Sequence, residues 1–357
     1  MKYHPYSSMK IFHYQEKLKS LPPNENIIAS PVHVRIKPTN ICNHNCSYCA
    51  YRSDRLQLGK DMNQNHFIPK CKMIEIIDSC NQIGVKAITF SGGGEPFCYP
   101  YLLDASKKLT SHNIKFAALT NGSRLNGEIA EFFSENAVWL RVSIDGWDNK
   151  SYSAYRNVPN EEFTKVMNNM KSFVQLDGKC HLGVSIVINE MNSGNFFELI
   201  KKIKDIGINS VKISPCITSN DAVENNKYHM PIFQKVKDQI QKAIQQFQSS
   251  SFLIYDSYHE MDEKFEKNYE WCPYLQILPI IGADLNVYSC QDKAYNTDNG
   301  LIGSIKDTTF KTFWFSGKDK FYSINPHKHC RHHCIANKKN QLIFEYLLID
   351  MNHLSFV

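Results

Sequence analysis

The sequence predicts an α/β fold: a partial (β/α)6 barrel of parallel strands followed by a small C-terminal α+β extension. Three observations carry that prediction. Six short apolar runs alternate with helix-period segments between residues 34 and 214, the pattern of a parallel sheet with helices outside it. Cysteines or polar clusters follow several of those runs, at the strand ends where barrels of this type carry their chemistry. Beyond residue 248 the rhythm gives way to short strands, turns and spaced cysteines. Six units rather than eight predict an open barrel.

Composition narrows the class. At 357 residues the chain accommodates one large domain and a smaller one, expected as an N-terminal segment over 1–31, a barrel over 32–250 and an extension over 251–357. Hydrophobic and charged contents of 42% and 21% are those of a soluble globular protein. The net charge of +6 is spread rather than blocked, which argues against a nucleic-acid partner. No signal peptide is evident, and the most apolar stretches, 275–283 and 342–349, are too short to cross a bilayer. A cytoplasmic protein without a membrane partner is expected. Twelve cysteines in so long a chain do not read as a small disulfide scaffold; their spacing favours metal.

The segment 1–31 carries mixed charge and Pro22-Pro23, and reads as a leader laid over the barrel. The first strand, 34–37, runs into Thr39-Asn40-Ile41-Cys42-Asn43-His44-Asn45-Cys46-Ser47-Tyr48-Cys49. Three thiolates spaced C-x3-C-x2-C can wrap one face of a cubane iron–sulfur cluster and leave one iron open. A zinc knuckle would need a fourth ligand, for which His44 is the local candidate, and three unrelated buried cysteines are the remaining alternative. Tyr48 gives the loop an aromatic flank. A helix over 69–83 and a strand over 87–91 lead to Ser91-Gly92-Gly93-Gly94-Glu95-Pro96. Glycines there permit close backbone approach and Glu95 offers a carboxylate to an ammonium group; a simple tight turn is the alternative.

A helix over 101–111 precedes the strand 115–120, which ends in Thr120-Asn121-Gly122. After a helix over 127–135, the strand 139–144 delivers Ser143 and Asp145 to its C-terminal end, where turn chemistry is the competing explanation. Helices over 161–174 and 196–206 bracket the strand 182–188, closed by Asn189. The strand 210–214 is followed by Pro215-Cys216. A thiol on that rim could hand a hydrogen atom to a substrate radical, although a small buried cysteine fits the same position.

A Lys- and Gln-rich helix over 231–248 ends the alternation. Cys272 and Cys290 then flank a predicted hairpin over 280–288, a helical linker covers 309–316, and Cys330 and Cys334 come after it in His329-Cys330-Arg331-His332-His333-Cys334. Zinc stays open here because His327, His329, His332 and His333 surround the pair. The tail 338–348 reads as a helix whose Leu342, Ile343, Tyr346 and Leu347 only pack. Packing is likewise the default for Cys71, Cys80, Cys98 and Cys180.

The cysteine loop together with the Gly-Gly-Glu-Pro segment resembles the radical S-adenosylmethionine (SAM) enzymes. The resemblance implies a SAM-binding [4Fe-4S] cluster on Cys42, Cys46 and Cys49. It places Gly93, Gly94 and Glu95 at the methionyl amino group, Ser143 and Asp145 toward the ribose and carboxylate, and Arg156 against that carboxylate. Tyr48 flanks the cofactor, and Asn189 lies near the adenosine. The later cysteines resemble the twitch form of the SPASM extension, which implies an auxiliary [4Fe-4S] cluster on Cys272, Cys290, Cys330 and Cys334. Their spacing is similar to that of 2-deoxy-scyllo-inosamine dehydrogenases, with a departure in the final C-x3-C. The resemblance also implies a 5′-deoxyadenosyl radical that abstracts hydrogen from a small polar substrate, sugar- or aminocyclitol-like, for oxidation or epimerisation. The alternative is a maturase acting on a peptide or protein side chain, against which 1–31 looks too short for a leader-recognition domain. A non-catalytic iron–sulfur or zinc module is the third reading. A one-electron donor such as flavodoxin or ferredoxin is implied as a partner.

Overall fold

The computed structural model describes residues 6–258, 261 and 265–356. The six expected strands form as β1 (His33–Ile36), β2 (Ala87–Phe90), β3 (Lys115–Thr120), β4 (Trp139–Ser143), β5 (His181–Ile188) and β6 (Ser210–Pro215). They pair in sequence order, all parallel. A seventh parallel strand, β7 (Leu253–Asp256), extends the row beside β6 and was not expected from the sequence. Val34, Ile36, Ile88, Phe90, Val142 and Val184 are fully buried. Each contributes about 1.5–3 kcal/mol on leaving water.

The helices are α1 (Gln15–Lys19), α2 (Lys70–Gln82), α3 (Leu102–Ser111), α4 (Gly127–Asn136), α5 (Asn149–Arg156), α6 (Glu162–Gln175), α7 (Phe196–Ile206), α8 (Ala222–His229) and α9 (Phe233–Phe247). Those connecting the strands bury one stripe: in α7 it is Phe196, Leu199, Ile200 and Ile203, at the spacing that puts side chains on one helix face. Asp148 caps α5 with a reciprocal capping box to Ser151, and Asn157 ends it in the left-handed region at φ 49°.

The C-terminal extension shares the barrel's sheet. Its strand β8 (Ile280–Ile281) lies parallel to β1, pairing Ile280 with Arg35. The next strand, β9 (Asn286–Tyr288), returns antiparallel as the expected hairpin, and β10 (Leu301–Ser304) pairs with it in turn. The result is one ten-stranded sheet in the order β10-β9-β8-β1-β2-β3-β4-β5-β6-β7. Because β8 occupies the free edge of β1, Cys290 is delivered beside the strand that feeds the first cysteine loop.

Three helices complete the chain: α10 (Phe310–Phe315), α11 (Pro326–His329) and α12 (Asn337–Leu347). The α10 helix packs on α2, its Phe310 N–H donating to Glu75 at 3.1 Å. Ile343 of α12 joins Ile11, Leu18, Leu21 and Ile277 in a second apolar cluster, so the N-terminal segment is fastened to the tail. Among the described residues no helix is long and apolar enough to cross a membrane.

Candidate active site and auxiliary cysteine centre

The first cysteine loop is held by backbone bonds from three sides. The N–H groups of Gly94 and Glu95 donate to the carbonyls of Thr39 and Ile41 at 3.0 and 2.9 Å. Asn45 and Ser47 donate theirs to the carbonyls of Arg156 and Tyr155, both at 3.0 Å. Those are carbonyls of the last turn of α5, which have no partner within the helix. A turn closes Cys49 N–H on the Cys46 carbonyl at 3.1 Å, and His44 N–H points at Cys42 Sγ at 3.4 Å. The three expected ligands therefore share one braced loop. Burial pushes the Cys42 thiol up to about 12 and raises that of Cys46. Thiolates in such surroundings need a cation to offset their desolvation, as a bound metal centre does.

The glycines are required by the loop itself. A Cβ on Gly94 would sit 2.2 Å from the Ile41 carbonyl oxygen, and one on Gly93 would sit 2.2 Å from Asn40 Oδ1. The Glu95 carboxylate turns inward. It accepts from Phe97 N–H at 3.0 Å, Thr120 Oγ1 at 2.7 Å and Asn121 N–H at 2.6 Å. It thus ties the end of β3 to the cysteine loop, a role the sequence does not reveal.

A second cluster lies at the ends of β4 and β5. Asp145 Oδ2 accepts from Arg156 Nη2 at 2.6 Å and from the Tyr48 hydroxyl, while Oδ1 accepts from Val187 N–H at 2.7 Å. Arg156 is 4% exposed and its Nε has no partner. The structure thus brings Tyr48, Asp145 and Arg156 together, with the arginine already paired to a carboxylate of its own chain. Asn189 Oδ1 accepts from Tyr155 Oη at 2.6 Å and from Met191 N–H at 2.9 Å. Ser143 is half-buried beside them at the end of β4. Cys216 follows β6 as expected and is buried, its N–H donating to the Ile188 carbonyl at 2.8 Å. Burial holds its thiol protonated, with a pKa raised to about 12.

Cys272, Cys290, Cys330 and Cys334 line one cavity. Burial raises all four thiols, Cys334 to about 12. Around them stand groups suited to an anionic metal–thiolate centre. Two buried lysines grip the loop that carries the last pair, Lys267 donating to the His332 carbonyl at 2.7 Å and Lys293 to that of His329 at 2.8 Å. Asn340 Nδ2 lies 3.3 Å from Cys272 Sγ. His332 is buried in the cavity wall and both its ring nitrogens lack hydrogen-bond partners. It forms with Cys290 and Asp292 a group whose ligand atoms lie within 4.8 Å of one another. The other histidines turn elsewhere: His327 to the Lys267 carbonyl, His333 onto the Phe265 ring, His329 toward Asn325 N–H. Four sulfurs in one cavity with basic groups at its wall fit an iron–sulfur cluster.

The two cysteine sets are joined by polar groups that the sequence did not single out. Lys37, completely buried just after β1, donates to the Gly92 carbonyl, to Tyr51 Oη at 2.5 Å and to Gln291 Oε1 at 3.2 Å. Gln291 also accepts from Arg35 at 2.8 Å. No motif marks Lys37, Lys267, Lys293 or Asn340, and a lysine closing an apolar strand was the only hint; His332 was singled out only as one of four histidines around the last cysteine pair. Asn340 corrects the expectation that the tail merely packs, since α12 reaches a cysteine sulfur. Cys80 and Cys180 are buried as expected, Cys98 is half-buried, and Cys71 departs from the packing default by lying exposed on α2.

Residues 36–192 match the radical SAM superfamily model. A cysteine-type anaerobic sulfatase-maturating enzyme of Clostridium novyi is 24% identical over 343 residues, covering 85% of this chain and 88% of the relative. A GTP 3′,8-cyclase of Psychromonas ingrahamii is 25% identical over 56% of this chain and 57% of its own. The crystal structure of Streptococcus suis SuiB bound to precursor peptide SuiA superposes with a TM-score of 0.62 at 15% identity, over 90% of this chain and 72% of that one. At that identity the likeness establishes the fold. The resemblance to 2-deoxy-scyllo-inosamine dehydrogenases suggested by the auxiliary spacing is not shown by these comparisons.

Proposed function

We propose that this chain, which carries a radical SAM superfamily domain over residues 36–192, modifies a side chain of a peptide or protein. The sequence alone ranked a small sugar-like substrate first; the order is now reversed. One observation carries the reading. The likeness to the sulfatase-maturating enzyme runs over 85% of the chain and 88% of the relative, whereas the likeness to a GTP cyclase stops at 56%. The fold of SuiB, whose structure holds a precursor peptide, supports it as a frame able to present a peptide.

In this reading Cys42, Cys46 and Cys49 hold a [4Fe-4S] cluster, and Cys272, Cys290, Cys330 and Cys334 hold an auxiliary one. The bound cofactors supply a 5′-deoxyadenosyl radical at the first site and a one-electron relay at the second. The protein supplies position. Gly93 and Gly94 let the segment before Glu95 lie against the cysteine loop. Asp145 fixes Tyr48 and Arg156 beside that loop, and Ser143 and Asn189 complete the rim at the ends of β4 and β5. Lys267 and Lys293 offset the negative charge of four thiolates. Because all four auxiliary sulfurs are spoken for, that site leaves no position for substrate and serves electron transfer. Reducing equivalents come from a donor such as flavodoxin or ferredoxin. Cys216 keeps a role only where a carbon is inverted, a step for which its protonated thiol could supply the hydrogen atom.

The test is anaerobic turnover of reconstituted protein with SAM and a panel of cysteine- and serine-bearing peptides beside a panel of sugars and aminocyclitols. The proposal expects 5′-deoxyadenosine together with a mass change on a peptide. Stoichiometric oxidation of a sugar or aminocyclitol, with every peptide untouched, would refute it.

A further inference from the structure

An open cleft of about 610 Å³ lies where three segments of the site meet. Arg55 comes from the stretch that follows Cys49, Asn220 and Asp221 from the loop after β6 and Cys216, and Lys328 and Arg331 from the run around Cys330. The walls are built into one another. Gln57 N–H donates to Asn220 Oδ1 at 2.8 Å, Asn220 Nδ2 donates to the Arg55 carbonyl at 3.1 Å, and Ala222 N–H donates to the Arg331 carbonyl at 2.8 Å. It is the backbone carbonyls of Arg55 and Arg331 that accept the last two bonds, so their side chains stay free to reach into the cleft.

The charges in the cleft are not balanced among themselves. Asp221 Oδ1 is engaged as the cap of α8, accepting from Val223 N–H at 2.8 Å and Glu224 N–H at 3.2 Å. Glu224 Oε2 accepts from the Ser219 hydroxyl at 2.6 Å. The ammonium and guanidinium groups of Lys328, Arg55 and Arg331 are exposed, and among the described residues no ion pair or side-chain hydrogen bond engages them. Three cations thus rim a predominantly polar cleft against two carboxylates, Asp221 and Glu224, each held at one oxygen by local donors, which leaves an excess of positive charge. Carboxylates are the partners such groups select, and the guanidinium of arginine pairs with them bidentately.

We infer that this cleft receives an acidic peptide segment, with Asp or Glu side chains flanking the residue to be modified. The inference rests on the peptide reading above and names the substrate's charge. Complementary charge of this kind sets encounter rate and partner choice. A neutral or basic segment would leave the excess positive charge of the cleft without a partner.

The probe is a fluorescein-labelled Gly-Glu-Gly-Glu-Gly-Glu peptide and its glutamine counterpart, titrated by anisotropy into reconstituted, SAM-loaded protein at low salt. Three exposed charge pairs predict tighter binding of the glutamate peptide by about tenfold, lost at high salt. Arg55→Gln and Arg331→Gln each lower that preference, and the pair abolishes it, while Lys171→Gln on α6 leaves it unchanged. Iron content of each variant confirms that the site is intact. Equal affinity for the two peptides, absence of binding by either, or an equal loss in Lys171→Gln overturns the inference. The readout does not involve turnover. Discriminating binding with no peptide ever modified would remove the maturase reading and leave the cleft; modified peptides bound without charge preference would do the reverse.

Discussion

Replacing Glu95 by glutamine separates two roles for one carboxylate. If Glu95 only faces the amino group of a bound ligand, the substitution weakens SAM binding and leaves stability alone. The structure assigns it structural work as well: one oxygen takes Phe97 N–H and the Thr120 hydroxyl, and the other takes Asn121 N–H at 2.6 Å. A glutamine amide has only one acceptor oxygen. Whichever way it is turned, its NH2 faces at least one of those donors. One buried donor left without an acceptor costs about 1–3 kcal/mol. Burial raises the Glu95 pKa, so removing the charge recovers part of that loss, and the lower half of the range is expected. Urea denaturation of reconstituted protein without SAM should show the midpoint falling with the slope unchanged, while iron content is retained. Unaltered stability accompanied by weaker SAM binding would refute the inward role of Glu95.

Neighbouring groups give three further expected outcomes. Gly94→Ala places a methyl 2.2 Å from the Ile41 carbonyl, so the reconstituted variant should lose iron from the first site, as measured by iron and sulfide analysis. Burial is the main cause lowering the His33 pKa to about 3, with Arg35 adding to it. A group depressed in the folded state costs stability once the unfolded chain takes up its proton. Between pH 7 and pH 5 stability should fall by about 2 kcal/mol from this residue, and denaturation curves of His33→Gln should lack that slope. For Cys216→Ala, turnover in D2O should leave 5′-deoxyadenosine formation and product mass unchanged, because side-chain modification does not call on its thiol; loss of a deuterated, inverted product would return the enzyme to epimerisation.

The strands, their order and the first cysteine loop were legible because each depends on local pattern. Strands such as Leu182–Ile188 read as largely apolar runs, and C-x3-C-x2-C is a local signal that favours a metal–thiolate centre. What the sequence hid depends on distant pairing. A two-residue strand at Ile280–Ile281 carries no periodicity, so its docking on β1 could not be read. Nor could the delivery of Gln291 to Lys37 that the docking brings about. The strand Leu253–Asp256 comes after a helix, has no strand-like alternation and escaped notice. The side chains of Glu95 and Arg156 are engaged by Asn121 and Asp145, pairings that no local pattern announces. Asn340 gains meaning only beside the sulfur that the fold brings to it, and the fold separates His332 from the three histidines that turn away from the cavity.

Whether the chain holds two separate clusters, one on each cysteine set, is open to direct measurement. Iron and sulfide analysis of anaerobically reconstituted protein, with Mössbauer spectra, compares the parent with a Cys42/Cys46/Cys49→Ala variant and a Cys272/Cys290/Cys330/Cys334→Ala variant. Two four-iron clusters predict about eight irons per chain in the parent and about four in each variant, with SAM cleavage abolished only when the first set is removed. About four irons in the parent, all lost with Cys42, Cys46 and Cys49, together with one zinc retained by the remaining four cysteines, would contradict a second cluster.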